Sequence, residues 1–145
     1  MYKLYLEKSI SSKDLLDKVL KENNIQDEII YNDYGKPYLK NNEIYFNISS
    51  SYEYTALVIS DKEVGVDIEK INYKKRIINR ICTEEEAKTI KTKDDFTIIW
   101  VKKESYVKYL GVGISYGLKN VNTLKLNNFI IKKIDDYYLS IYLGE

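Results

Sequence analysis

The stretch Val64-Gly65-Val66-Asp67-Ile68-Glu69-Lys70-Ile71 sets two carboxylates inside what otherwise reads as a buried strand. Alternate side chains of a strand point to opposite faces, so Val64, Val66 and Ile68 form one face and Gly65, Asp67 and Glu69 the other. Two carboxylates a strand period apart repel each other unless water, a cation or a basic partner screens them, and a glycine beside them leaves room for a close approach. These residues alone leave two readings open, a solvated outer face or a metal or catalytic site. Further along, Glu104 and Lys108 are four apart in the order of an ordinary exposed helix pair. If Glu104 instead faces Asp67 and Glu69, three hard oxygen ligands meet, which suits a Mg²⁺ that still carries waters and a phosphate, with Lys108 in reach of that phosphate. Lys103 falls in the apolar row Phe96, Trp100, Lys103, Val107, Leu110; a lysine there either snorkels to water, the commoner outcome, or meets a buried anion.

Composition narrows the chemistry. The 145 residues contain no histidine and one cysteine, which removes the usual general base, the Ser-His triad, nearly every zinc site and any internal disulfide. Carboxylates, lysines and hydroxyls are left to do the work, and Cys82 reads as a small core residue. With 23 basic and 22 acidic residues the net charge is +1, so the overall balance points to no nucleic-acid or membrane partner. The chain has the length of one domain, and its start lacks a signal-peptide core; the simplest expectation is a soluble cytoplasmic protein. The 15 tyrosines are read as compositional bias.

The elements that must position these groups follow from periodicity and caps. Met1–Leu6 alternates as a first strand. Ser11, Asp14 and the Ile10/Leu15 pair start a helix running to about Asn23, with Leu15, Leu16, Val19 and Leu20 inward. Tyr34-Gly35-Lys36-Pro37 is a turn. Strands follow over roughly Glu43–Ile48, Tyr54–Ser60 and Glu63–Ile68. Tyr73-Lys74-Lys75-Arg76 leads into a helix, and Thr83 with Glu86 has the spacing of a capping box for the next. The longest helix starts near Asp94 and ends before Gly111. Closing strands are expected at about Lys119–Leu126, Phe129–Ile134 and Tyr138–Leu143, with turns at Asn127-Asn128 and Asp135-Asp136.

Taken in order, Gly35-Lys36-Pro37, Phe46-Asn47-Ile48-Ser49-Ser50-Ser51, Gly65-Val66-Asp67-Ile68-Glu69, Trp100-Val101-Lys102-Lys103-Glu104-Ser105-Tyr106-Val107-Lys108 and Gly111-Val112-Gly113-Ile114-Ser115 resemble the 4′-phosphopantetheinyl transferases of the surfactin-synthetase-activating type. The resemblance covers about residues 34 to 145. A smaller, trimeric acyl-carrier-protein synthase type places its Gly-x-Asp near the N-terminus, so the motif order argues against it. The resemblance implies an α+β fold of two pseudo-symmetric halves with antiparallel sheets, about 1–70 and 71–145 within one domain, the first half abbreviated. It implies Mg²⁺ held by Asp67, Glu69 and Glu104, with coenzyme A phosphates contacted by Lys36 and Lys108. Glu104 is the implied general base for transfer of phosphopantetheine to a serine of an acyl or peptidyl carrier protein, leaving adenosine 3′,5′-bisphosphate. Glu86 matches a further acid of the family and has its capping role besides.

Two departures bear on this. Ser50 stands where the family usually offers a histidine to the coenzyme, and a hydroxyl makes a weaker bond to phosphate than a cation does. The segment before Gly35 is short, so the residues that hold the 3′-phosphate have no numbered counterparts, and the coenzyme pocket is left open or completed by a partner chain, self-association included. The alternative reading is a non-catalytic relative that binds a carrier protein or nucleotide without transfer.

Overall fold

In the computed structural model, which describes residues 1–113 and 116–144, two three-stranded antiparallel sheets carry the chain. The elements in order are β1 (Tyr2–Lys8), α1 (Ser12–Glu22), β2 (Ile29–Tyr31), β3 (Pro37–Leu39), β4 (Tyr45–Ser51), β5 (Tyr54–Ser60), β6 (Gly65–Lys70), α2 (Ile78–Ile81), α3 (Glu84–Thr89), α4 (Lys93–Leu110), β7 (Phe129–Ile134) and β8 (Tyr137–Tyr142). The sheets run β1-β5-β4 and β6-β8-β7, and β2 with β3 makes a small hairpin around the Gly35 turn. The fold is therefore α+β with antiparallel sheets. The second sheet begins at Gly65. Among the described residues no helix is long and apolar enough to cross a membrane.

The two sheets pack on each other through apolar faces: Ala56 and Val58 of β5 meet Val64, Val66, Ile68, Leu139 and Ile141 in a single cluster. Helix α1 covers the outer face of the first sheet with Leu15, Leu16, Val19 and Leu20 against Phe46 and Leu57. Its start forms as the caps demand, the Asp14 N–H donating to Ser11 Oγ at 3.0 Å. Helix α4 covers the second sheet. Thr92 and Asp95 close a reciprocal capping box at its start, and Gly111, at φ 69°, ends it in the left-handed conformation.

Several expectations are corrected. The strand expected over Lys119–Leu126 is absent; single 3₁₀ turns stand at Leu118–Asn120 and Thr123–Lys125. Glu86 accepts from both the N–H and the hydroxyl of Thr123, at 2.8 and 2.6 Å, and so takes up a backbone donor that a sheet ladder would have needed. The alternation in that segment therefore marks no strand. Lys103 does not snorkel: its side chain and that of Glu86 are both 0% exposed and lie 2.6 Å apart. Leu110, expected in the core row, is exposed. Ile114 and Ser115 of the Gly111–Ser115 run lie outside the described residues.

Candidate functional site

The site begins with a packing requirement. A Cβ on Gly65 would lie 2.0 Å from the Ser105 carbonyl oxygen and 2.6 Å from the Tyr109 nitrogen, so only glycine lets the backbone of α4 rest on β6. The space beside the acids is filled by a helix, and the Ser105 and Ser140 hydroxyls meet across it at 2.9 Å. This close approach brings the flanking α4 residues Glu104 and Lys108 to the acid-bearing face of β6.

Asp67 is 5% exposed, which overturns the solvated-face reading. Its Oδ1 accepts from Ser49 Oγ at 3.0 Å; its Oδ2 is buried with no hydrogen-bond partner. Burial pushes the Asp67 carboxyl well above the usual carboxylate range; the charges of Glu69 and Glu104 add to this and Lys108 opposes it. Glu104, half-buried, is raised by burial and then by Glu69, against Lys108 and Lys74. Lys108 is lowered by burial, against Asp67 and Glu104, and its ammonium donates to the Ile48 carbonyl. Glu104 and Lys108 are thus no exposed surface pair. Three carboxylates share a neighbourhood with Lys108, and the charges of Lys74 and Lys36 act on the same cluster.

Such a set fits a divalent cation. Among the described residues no three acids stand close enough to form a ready-made cage. Mg²⁺ does not need one, because it keeps several waters and binds through one or two carboxylates plus phosphate oxygens. The unpartnered Asp67 oxygen, backed by two further acids, is a donor set of that kind.

Two cavities flank the acids. One, of about 230 Å³, is lined by Lys36, Asn47, Ile48, Glu104, Val107 and Lys108 among others. The other, of about 300 Å³, is lined by Glu69, Asn72, Lys74, Phe96 and Trp100 among others. Trp100 packs, stacked on Phe96 at 6.0 Å, and also walls this second cavity under the Lys74 ammonium.

The structure does not gather every residue singled out from the sequence. Lys36 reaches the first cavity, yet its ammonium donates to Glu63 Oε1 at 2.8 Å and to the Tyr109 and Val64 carbonyls at 3.3 and 3.4 Å. Burial lowers its proton affinity against the opposing charge of Glu63. Ser50 is exposed on β4, facing away from the acids, and lines neither cavity. Its neighbour Ser49, which the sequence reading passed over, makes the contact with Asp67. Asn47, Ser49 and Ser51 alternate along β4, and their side chains accept the N–H groups of Val66, Ile68 and Lys70 at 2.8, 3.2 and 3.4 Å, joining the two sheets. Asn47, polar between the apolar Phe46 and Ile48 and two residues from Ser49, was the available signal.

Residues 63–140, which hold Asp67, Glu69, Glu104 and Lys108, match the model of the 4′-phosphopantetheinyl transferase superfamily. The chain is 32% identical over 121 residues to a 4′-phosphopantetheinyl transferase of Bacillus subtilis, covering 78% of this chain and 50% of that protein. It is 37% identical over 90 residues to one of Aneurinibacillus migulanus, covering 57% of this chain and 38% of that protein. With the human L-aminoadipate-semialdehyde dehydrogenase-phosphopantetheinyl transferase the identity is 31% over 109 residues, covering 64% and 34%. The chain thus spans half or less of the length of these relatives. Its matched region, containing the buried acids and the helix laid against them, places it in one family: the chain belongs to the 4′-phosphopantetheinyl transferase superfamily.

Proposed function

We propose that the chain transfers the 4′-phosphopantetheine group of coenzyme A to a serine hydroxyl of an acyl or peptidyl carrier protein, with Mg²⁺, in the cytoplasm. The observation that carries this reading is Asp67, a buried carboxylate with one unbonded oxygen, set among Glu69, Glu104 and Lys108 between two cavities. Asp67, Glu69 and Glu104 would hold the cation. When bound, Mg²⁺ screens the pyrophosphate and favours charge development on the leaving oxygen.

The chain's own residues do the rest. Lys108 pairs with the donor's phosphate charge from the first cavity, and Lys36 borders the same space. Glu104, whose proton affinity is raised, takes the proton of the attacking serine. The serine oxygen bonds to the pantetheine phosphorus as the bond to the bridging pyrophosphate oxygen breaks, releasing adenosine 3′,5′-bisphosphate. Positioning and charge neutralisation dominate such a step.

Two observations favour a second reading, binding without transfer: the Lys36 ammonium is committed to Glu63, and Ser50 faces away from the cavity. Intact-mass measurement of apo carrier proteins incubated with the chain, coenzyme A and Mg²⁺ separates the two. A phosphopantetheine-sized mass gain that disappears with Asp67→Ala supports transfer. Coenzyme A binding with no gain on any carrier supports the second reading.

A further inference from the structure

The hydroxyl of Ser49 is engaged on both sides. Its oxygen accepts the Ile68 N–H at 3.2 Å, and the group donates to Asp67 Oδ1 at 3.0 Å, with Ser49 itself only 8% exposed. The backbone N–H occupies a lone pair of the hydroxyl, which leaves the hydroxyl's own hydrogen to the charged acceptor beside it. Ile68 follows Asp67 directly in β6, so donor and acceptor are locked to one register. One carboxylate oxygen is thereby fixed, while the other, Oδ2, is buried and unbonded.

We propose that Ser49 is a positioning residue for cation binding: by holding Asp67 Oδ1, its hydroxyl presents Oδ2 to a divalent cation shared with Glu69 and Glu104. This rests on the metal reading of the acids given above and adds to it a residue that acts through Asp67 rather than by ligating the cation itself. The principle is general, since hydrogen bonds to ligating carboxylates orient them, and losing such a partner weakens metal affinity about 10- to 100-fold. The neighbouring seam bonds supply a built-in comparison. Ser51 accepts the Lys70 N–H two residues along, from a more exposed position on the same strand.

The test titrates the 145-residue chain and its Ser49→Ala and Ser51→Ala variants with Mn²⁺, reading free metal by electron paramagnetic resonance, and records thermal melting in parallel. Ser49→Ala is expected to bind Mn²⁺ about tenfold more weakly or worse, while Ser51→Ala binds it as the parent does. Equal affinities in the two variants, with melting lowered alike, would make Ser49 a seam fastener and overturn the proposal. Should Ser49→Ala fail to fold, Ser49→Cys keeps the size with a weaker donor; weakened Mn²⁺ binding then supports the role and parental binding overturns it. A parent chain that binds no Mn²⁺ at millimolar concentration overturns the metal reading and the Ser49 role together, a result distinct from equal binding by both variants.

Discussion

Gly65 and Ser105 are in backbone contact across β6 and α4, with no space between them for even one methyl group. Both atoms that a Cβ would meet first belong to main chain, which cannot swing aside as a side chain can. Gly65→Ala is therefore expected to lift α4 from β6 and destabilise the chain by about 1–3 kcal/mol or more. Urea denaturation measures this; a parental midpoint would show that the helix does not need the close approach.

The Glu86–Lys103 pair predicts a strong non-additivity. Both side chains are fully buried, and Lys103 also donates to the Leu118 and Val121 carbonyls. Glu86→Gln or Lys103→Met alone strands a buried group and should cost about 3–5 kcal/mol. The double variant should lose clearly less than the sum, which a double-mutant cycle in denaturant reads out. The pair also sets a direction for acid. Burial would raise the Glu86 carboxyl, but the bonds from Lys103 and Thr123 outweigh it and hold the group below its ordinary value. Its stabilisation is thus present above the unfolded-state value and is lost as pH falls through the lower folded one. Denaturation midpoints across the acid range should show a drop that Glu86→Gln blunts.

For Asp67 and Glu104 the sign is opposite. Their folded-state proton affinities are raised, so the stability they carry is present in acid and declines as pH climbs from the ordinary carboxylate range through the raised folded values. A divalent cation competes with those protons. Mg²⁺ should therefore raise the melting temperature more on the alkaline side of the raised folded-state values than in the ordinary carboxylate range, and Asp67→Asn should flatten both the metal response and the metal-free decline. An Mg²⁺ response independent of pH would count against cation binding at these acids.

Cys82 is 2% exposed, and burial pushes its thiol up to about 11. Thiolate is the reactive form, so a thiol reagent at neutral pH should leave the native chain unlabelled and label it promptly in denaturant. Rapid native labelling, followed by mass spectrometry, would contradict this placement.

What the sequence disclosed and concealed divides along physical lines. Caps and local periodicity located α1, α3, α4 and β5 closely; Ser11, Thr83 and Gly111 act on the backbone of α1, α3 and α4 a few residues away. The acids were legible because carboxylates in an apolar strand are anomalous. Lys103 was misjudged because its partner, Glu86, lies on another helix and serves as a cap at the same time. Gly65 was read as room for a close approach, which the structure bears out, but nothing local says that the approaching group is α4. Ser49 and Ser50 differ only in which face of β4 they occupy, and a strand read as ending at Ile48 hides that distinction.

The side-chain seam between β4 and β6 has a consequence for how such a site changes over generations. Along an ordinary sheet edge, strands are matched by main-chain groups that almost every residue carries, so replacing a residue leaves the match intact. Here the Val66, Ile68 and Lys70 N–H groups are met by Asn47, Ser49 and Ser51, whose oxygens exist only while those residues do. The junction that the acids border is thus written in replaceable letters, and its spacing can be inherited, retuned or lost one codon at a time.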